Sequence, residues 1–358
     1  MTSRSDLSEG ARNLLQHCGD FTAGSEILIV HEDPAFGWYD NAAPLAVAAE
    51  AEALGLKPRL VKVGAPSDRL APETTALIEQ YDNCIFFSRI GDQDRFAEVP
   101  AGKTKVMSYI RSAEMLASEF GRTNHEAMLV LKKAIDAILR NADRIEITCP
   151  LGSYLTGVIS DAARSSDTDV SVRRFPMGVP QPIEALEFGG RVALSRYLTP
   201  TGSRVYDPPF LKIGATAFAH VAQGRIEFFS GDTETIRLVE RHYERVSNQF
   251  GIDPQVVHSW HAGIHPGSSY DQAAGDDPDR WSNTVFTNPR ILHFHTCGAY
   301  APGEICWMLM DHTVRIDGVA LWEDGAIHPE RFAQTSSCLD QWPELRPIFE
   351  NPSPLIGI

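Results

Sequence analysis

The sequence lacks an excess of positive charge, a long apolar run, paired cysteines and a glycine-rich phosphate motif. Lys and Arg number 32 against 47 Asp and Glu, a formal net charge of −15. That charge repels phosphate backbones and anionic lipid surfaces, so no nucleic-acid or membrane partner is expected, whereas a basic peptide is electrostatically welcome. The N-terminal stretch MTSRSDLSEGARNLL has neither an apolar core nor a small-residue cleavage site, so no secretory signal is expected. The most apolar early run, APLAVAAEAEALGL, carries two glutamates and is too short to span a bilayer. The six cysteines, at 18, 84, 149, 297, 306 and 338, form no CxxC pair, which predicts free thiols and a cytoplasmic location. AGKT at 101–104 ends like a phosphate loop, but Ala97 stands where the leading glycine is needed, and no GxGxxG follows the first strand.

What is present is a change of rhythm along 358 residues, a length that fits one large or two ordinary domains. EILIVHE (26–32), PRLVKVG (58–64) and NCIFFSRIG (83–91) read as strands separated by the helices NAAPLAVAAEAEALG (41–55) and PETTALIEQ. This alternation predicts a parallel, Rossmann-like sheet. A helix follows in TNHEAMLVLKKAIDAILRNADRIEIT, where Met128, Leu131, Ile135 and Ile138 recur at helical spacing and Thr123 with Glu126 predicts a capping box. Beyond it, short alternating segments and the hairpin signals Asp317-Gly318 and Asp324-Gly325 predict a mixed or antiparallel second domain. The expected division is 1–146 and 147–358. The charged run at the end of the third strand includes Arg89, Asp92, Gln93, Asp94 and Arg95, a position where open α/β sheets place ligands; a solvated turn or interface ion pair is the plainer reading.

Histidine concentrates in the second half. In VVHSWHAGIHPGSSYD, His258, His261 and His265 are spaced for one helical face, but Gly263 and Pro266 oppose a helix, so a loop is expected. In ILHFHTCGAYAPGEICWMLM, strand alternation sends His293 and His295 to one face and Glu304, Cys306, Met308 and Met310 to one face of the next segment. Paired strands of this kind offer imidazole, carboxylate and thiolate donors for zinc or iron, or an ordinary core with a small buried cysteine and a satisfied histidine.

Through RIEITCPLGSYLTG, FPMGVPQPI, HAGIHP and the final hairpin, most of the chain resembles the metal-dependent aminopeptidases of the aminopeptidase T type and, more remotely, 2,5-dihydroxypyridine dioxygenase. The resemblance implies an N-terminal α/β domain, a mixed-sheet C-terminal domain holding two metal ions, and a homodimer. Position by position, it also implies that donors have been replaced. Val179 follows Gly178 where the family has a metal-binding glutamate, and His261 stands five residues before Pro266 where it has a second. His293 and Tyr300 match a family histidine and tyrosine. Glu304 and Cys306 occupy the positions of a His-x-Asp pair. Valine has no lone pair, and two bridged cations need anionic oxygens, so an active two-metal aminopeptidase is not expected.

Two functions remain from different classes, besides a purely structural dimer. The first is a peptide-binding protein on a retired peptidase scaffold, without cofactor, handling a basic precursor peptide in ribosomal natural-product biosynthesis. Its binding candidates are Trp260, His261, His265, Tyr270, His293, Tyr300, Arg89 and Arg95, with Trp281, Trp307 and the acidic GDDPDRW loop nearby in sequence. The second is a mononuclear Fe(II) ring-cleaving dioxygenase or Zn hydrolase using His261, His293 and Glu304, with Cys306 as a fourth ligand or neighbour and Tyr300 or His295 as proton donor.

Overall fold

The computed structural model describes residues 3–66, 71–93, 95, 98–165, 170–200, 206–298 and 303–358. The strands are β1 (Glu26–Glu32), β2 (Lys57–Val63), β3 (Asn83–Phe87), β4 (Thr104–Ser108), β5 (Ile145–Thr148), β6 (Tyr154–Gly157), β7 (Arg173–Phe175), β8 (Ile183–Glu184) and β9 (Phe188–Leu198). They continue with β10 (Leu211–Ala222), β11 (Arg225–Ser230), β12 (Val257–Ala262), β13 (Ile291–Cys297), β14 (Glu304–Met310), β15 (Thr313–Ile316), β16 (Val319–Glu323) and β17 (Ala326–Ile327).

The first compact unit comprises Met1–Leu129, Thr168–Gly178 and Gly267–Ser269, and its sheet runs β2-β1-β3-β4-β7 with every pairing parallel. Helices cover a parallel sheet on both faces, which is why β1 carries the unbroken apolar run Ile27 to Val30, all fully buried. Helix Ala42–Ala53 lays Val47 and Ala51 into the same core as Ile29, Ile85, Phe87 and Phe175. At the carboxyl end of β1 the buried Glu32 accepts from Arg89 Nη2 at 2.6 Å and from the Arg89 backbone N–H at 3.1 Å. The guanidinium lies 4.2 Å from the centre of the Trp38 ring, so the carboxylate, the cation and the aromatic face lock the loop after β1 to the end of β3.

The second unit comprises Val130–Asp167, Val179–Pro266 and Tyr270–Ile358. It holds an eight-stranded sheet, β11-β10-β9-β6-β5-β15-β16-β17, and a four-stranded sheet, β14-β13-β12-β8, antiparallel at each described pairing. The parallel sheet and the antiparallel second half are as the sequence rhythm predicts. Both Asp-Gly pairs make tight turns with positive φ at each residue, 50° and 87° at Asp317-Gly318 and 49° and 82° at Asp324-Gly325. That twist suits a two-residue hairpin.

Two expectations change. The units divide at Leu129/Val130, inside helix His125–Arg140 rather than at 146, and the chain returns to the first unit through β7 to complete its sheet. The cap of that helix is Asn124, whose Oδ1 accepts from the N–H groups of Glu126 at 3.0 Å and Ala127 at 3.3 Å, while Thr123 Oγ1 donates to the Glu119 carbonyl instead. All six cysteines are free, and no helix of the described residues is long and apolar enough to cross a membrane.

Two outcomes follow from these buried groups. Glu32→Ala strands a guanidinium that is only 11% exposed and is expected to cost about 3–5 kcal/mol in urea unfolding. His125 and His242 are held down to about 4 from an ordinary 6.5, first by burial and then by nearby cations, Arg173 for His125 and Arg245 for His242. Their folded pKa lies below the unfolded one, so the unfolded chain binds more protons between those values. Stability is therefore full above about 6.5 and declines as pH falls toward about 4, and His242→Gln should shallow that decline in urea titrations across this range.

Candidate metal centre

Three neighbouring strands, β12, β13 and β14, are antiparallel, and their register decides which side chains meet. His261 lies opposite His293, and His293 opposite Met308; Ser259 lies opposite His295, and His295 opposite Cys306; Cys297 lies opposite Glu304. Residues directly opposite share a face. His261, His293 and His295 are therefore gathered on one face, while alternation sends Trp260, Phe294 and Trp307 to the other.

The gathered imidazoles are close. Each offers one nitrogen to a set whose members all lie within 4.8 Å of one another. Ring centres are 3.8 Å apart for His261 and His293, 4.7 Å for His293 and His295, and 5.3 Å for His261 and His295. All three are buried, at 5%, 4% and 8% exposure. Phe286 stands edge-on to two of them, at 6.3 Å from His261 and 5.7 Å from His293. Glu304, also buried, places Oε1 2.8 Å from His295 Nδ1. Three neutral nitrogen donors in a dry site fit a borderline divalent ion such as zinc or iron(II), and fit calcium or magnesium poorly.

The reverse face holds the sheet in place. Trp307 Nε1 donates to Tyr243 Oη at 2.7 Å, Tyr243 Oη reaches Thr296 Oγ1 at 2.5 Å, and Thr296 Oγ1 donates to the Ile305 carbonyl at 2.7 Å. Every donor in that chain is used, and it ties helix Thr233–Phe250 to β13 and β14. At one end of the hairpin Arg290 grips Asp311 through two bonds, 2.6 and 2.9 Å. At the other, Cys297 adopts φ 65°, its N–H donates to the Val256 carbonyl at 2.9 Å, and its carbonyl accepts from His258 Nε2 at 2.7 Å. Gly303 has φ 95°, a left-handed conformation at the entry to β14 that favours glycine.

The sequence-derived candidates fall as follows. HAGIHP does not begin in a loop: β12 runs through Ala262, and strand pairing is what carries His261 to His293. His295, expected as a proton donor, joins the cluster, whereas among the described residues Glu304 and Cys306 fall outside the set of mutually close donors. His258 points to the Cys297 carbonyl, and His265 is buried outside that set with its backbone N–H on the Thr287 carbonyl. The expected aromatic peptide surface is not found at Trp260, Tyr270, Trp281 or Trp307, all of which are buried; Trp281 Nε1 donates to the Ile356 carbonyl. In the GDDPDRW loop Asp277 caps helix Pro278–Val285 and Asp279 is buried. Arg89 and Arg95 belong to the first unit, Arg89 bound to Glu32 and Arg95 bonded to the Asp92 carbonyl. Tyr300 and Asp94 lie outside the described residues.

No protein-family model matches the sequence, and none of the curated proteins matches it. Among solved structures the chain is similar to 2,5-dihydroxypyridine dioxygenase from Pseudomonas putida KT2440, with a TM-score of 0.62 and 13% identity over 94% of this chain and 100% of that one. It is also similar to wild-type AmpT from Thermus thermophilus, with a TM-score of 0.47 and 12% identity over 87% of this chain and 94% of that one. The likeness to the dioxygenase spans nearly the whole chain and shows a shared fold.

The reverse-face network gives a direct test of what holds the register. Tyr243→Phe leaves the buried Trp307 N–H without its acceptor and is expected to cost about 1–3 kcal/mol in chemical unfolding. The near-ultraviolet circular dichroism of the folded variant should change in the tryptophan region, since Trp307 loses its hydroxyl partner.

Proposed function

We propose that the protein is a mononuclear metal-dependent enzyme in which His261, His293 and His295 hold one divalent ion, and that iron(II)-dependent ring cleavage of a small aromatic substrate is its chemistry. The observation that carries this reading is the set of three buried imidazole nitrogens within 4.8 Å of one another. A bound ion would supply a Lewis-acidic centre with positions open to substrate and dioxygen, because all three donors approach from one face of one sheet. Relative to the two-histidine, one-carboxylate set expected from sequence, His295 takes the place of Glu304.

The protein's own residues have separable tasks. The three imidazoles bind the ion, and burial excludes bulk water from it. Phe286 provides an apolar wall beside His261 and His293, suited to a flat ring. The shared fold with an enzyme named as a dihydroxypyridine dioxygenase supports this chemistry by analogy of scaffold. In this reading the carboxylates lost from the two-metal pattern are replaced by nitrogen donors sufficient for a single ion. The peptide-binding reading draws less support, because Trp260, Tyr270, Trp281 and Trp307, proposed for its groove, are buried.

Elemental analysis of protein expressed in iron-replete medium should find about one iron per chain, with His261→Ala and His293→Ala losing at least about tenfold in metal affinity. Anaerobic loading with iron(II), followed by dihydroxylated pyridines or benzenes, should give dioxygen uptake that depends on substrate. Stoichiometric zinc without oxygen uptake would redirect the assignment to a hydrolase, for which three histidines are also a suitable set. Failure to bind any divalent metal would overturn the reading and return attention to peptide titrations.

A further inference from the structure

We infer that Glu304 is a positioning residue for this centre: its carboxylate holds His295 with the proton on Nδ1, leaving the Nε2 lone pair for the ion. The consequence for metal rests on the proposed function, but the proton's location does not. An ionised carboxylate only accepts hydrogen bonds. Oε1 stands 2.8 Å from Nδ1, the geometry in which a carboxylate accepts from Nδ1–H. Neutral histidine in water carries its proton mostly on Nε2, so the protein imposes the less common tautomer here.

The backbone is arranged to keep this contact. Glu304 opens β14 opposite Cys297, two residues before Cys306, so its side chain crosses diagonally to His295. The Glu304 carbonyl accepts from Tyr206 Oη at 3.0 Å, and the Gly298 N–H donates to the Gly303 carbonyl at 3.0 Å. Aspartate, one methylene shorter, would fall short of the ring from this position. The charge matters as well as the shape. Three neutral imidazoles leave a divalent cation uncompensated in a dry site, and a carboxylate behind one of them strengthens that nitrogen as a donor without occupying a coordination position.

The test compares Glu304→Gln, which keeps an oxygen acceptor but no charge, with Glu304→Leu, which has neither. Nitrogen-15 NMR of histidine-labelled, metal-free protein should show His295 as the Nδ1–H tautomer in the wild type and in Glu304→Gln, and a shift toward Nε2–H in Glu304→Leu. Iron(II) and zinc affinity should fall in the same order, with a loss of about 10–100-fold for Glu304→Leu. Circular dichroism and the unfolding midpoint of Glu304→Gln control for folding. An Nε2–H tautomer in the wild-type protein, or undiminished affinity in folded Glu304→Leu, would overturn this inference while leaving a metal site at the histidines intact. A wild-type protein with the Nδ1–H tautomer but no affinity for metal would instead overturn the proposed function and the positioning role together.

Discussion

Strand register is the constraint on which the candidate site depends. Three imidazoles from β12 and β13 converge because His261 is paired with His293 and His295 follows two residues on. A slip of one residue in β13 would send both of its histidines to the tryptophan side and bring Phe294 to the side that now holds the imidazoles. The restraints that prevent such a slip are spread around the hairpin: the Arg290–Asp311 grip at one end, the left-handed Cys297 with its His258 bond at the other, and the Trp307–Tyr243–Thr296 chain across the back. A short stretch of sheet is thus over-determined on three sides. The fourth side presents the donors.

Gathering histidines in a dry interior has a price, because neighbouring imidazoles within 4.8 Å repel once protonated. Glu304 lies outside the mutually close set and meets His295 through the 2.8 Å contact. Phe286 and Met308 supply apolar surroundings beside His293. Such a gradient from carboxyl group to hydrocarbon across one cluster suits the proposed cation and a largely apolar ligand.

Much of the scaffold was legible in the chain. The apolar run at 27–30 announced a strand covered on both faces, Met128 through Ile138 a helix with one buried side, and the two Asp-Gly pairs the turns they form. The alternation of His293 and His295 placed them together before any pairing was known. What the chain did not disclose was long-range. Gly263 and Pro266 made His261 look like a loop residue, yet β12 ends at Ala262, just short of them. Glu304 and Cys306 share a face with the histidines, but distance along β14 decides that the carboxylate meets one ring edge and stays outside the donor set. The strand β7 likewise joins the first sheet from residues that follow the expected boundary, since parallel pairing with β4 has no local signature. Even the cap of helix His125–Arg140 turned on one residue, the Oδ1 of Asn124 accepting from the first-turn N–H groups while the Thr123 hydroxyl donates back to the Glu119 carbonyl.

The position of β13 inside its sheet has a kinetic corollary. It is flanked by β12 and β14, β12 is flanked in turn by β8, and the outer side of β14 is bridged to Thr199 through the Cys306 N–H. None of the donor-bearing strands is a fraying border, where local opening is easiest. An ion held by the three imidazoles, on losing one nitrogen through a thermal excursion, would still face two others fixed to the same ribbon. Its release would be a sequence of reversible detachments, so the proposed centre would be slow to yield its ion to dilute chelators.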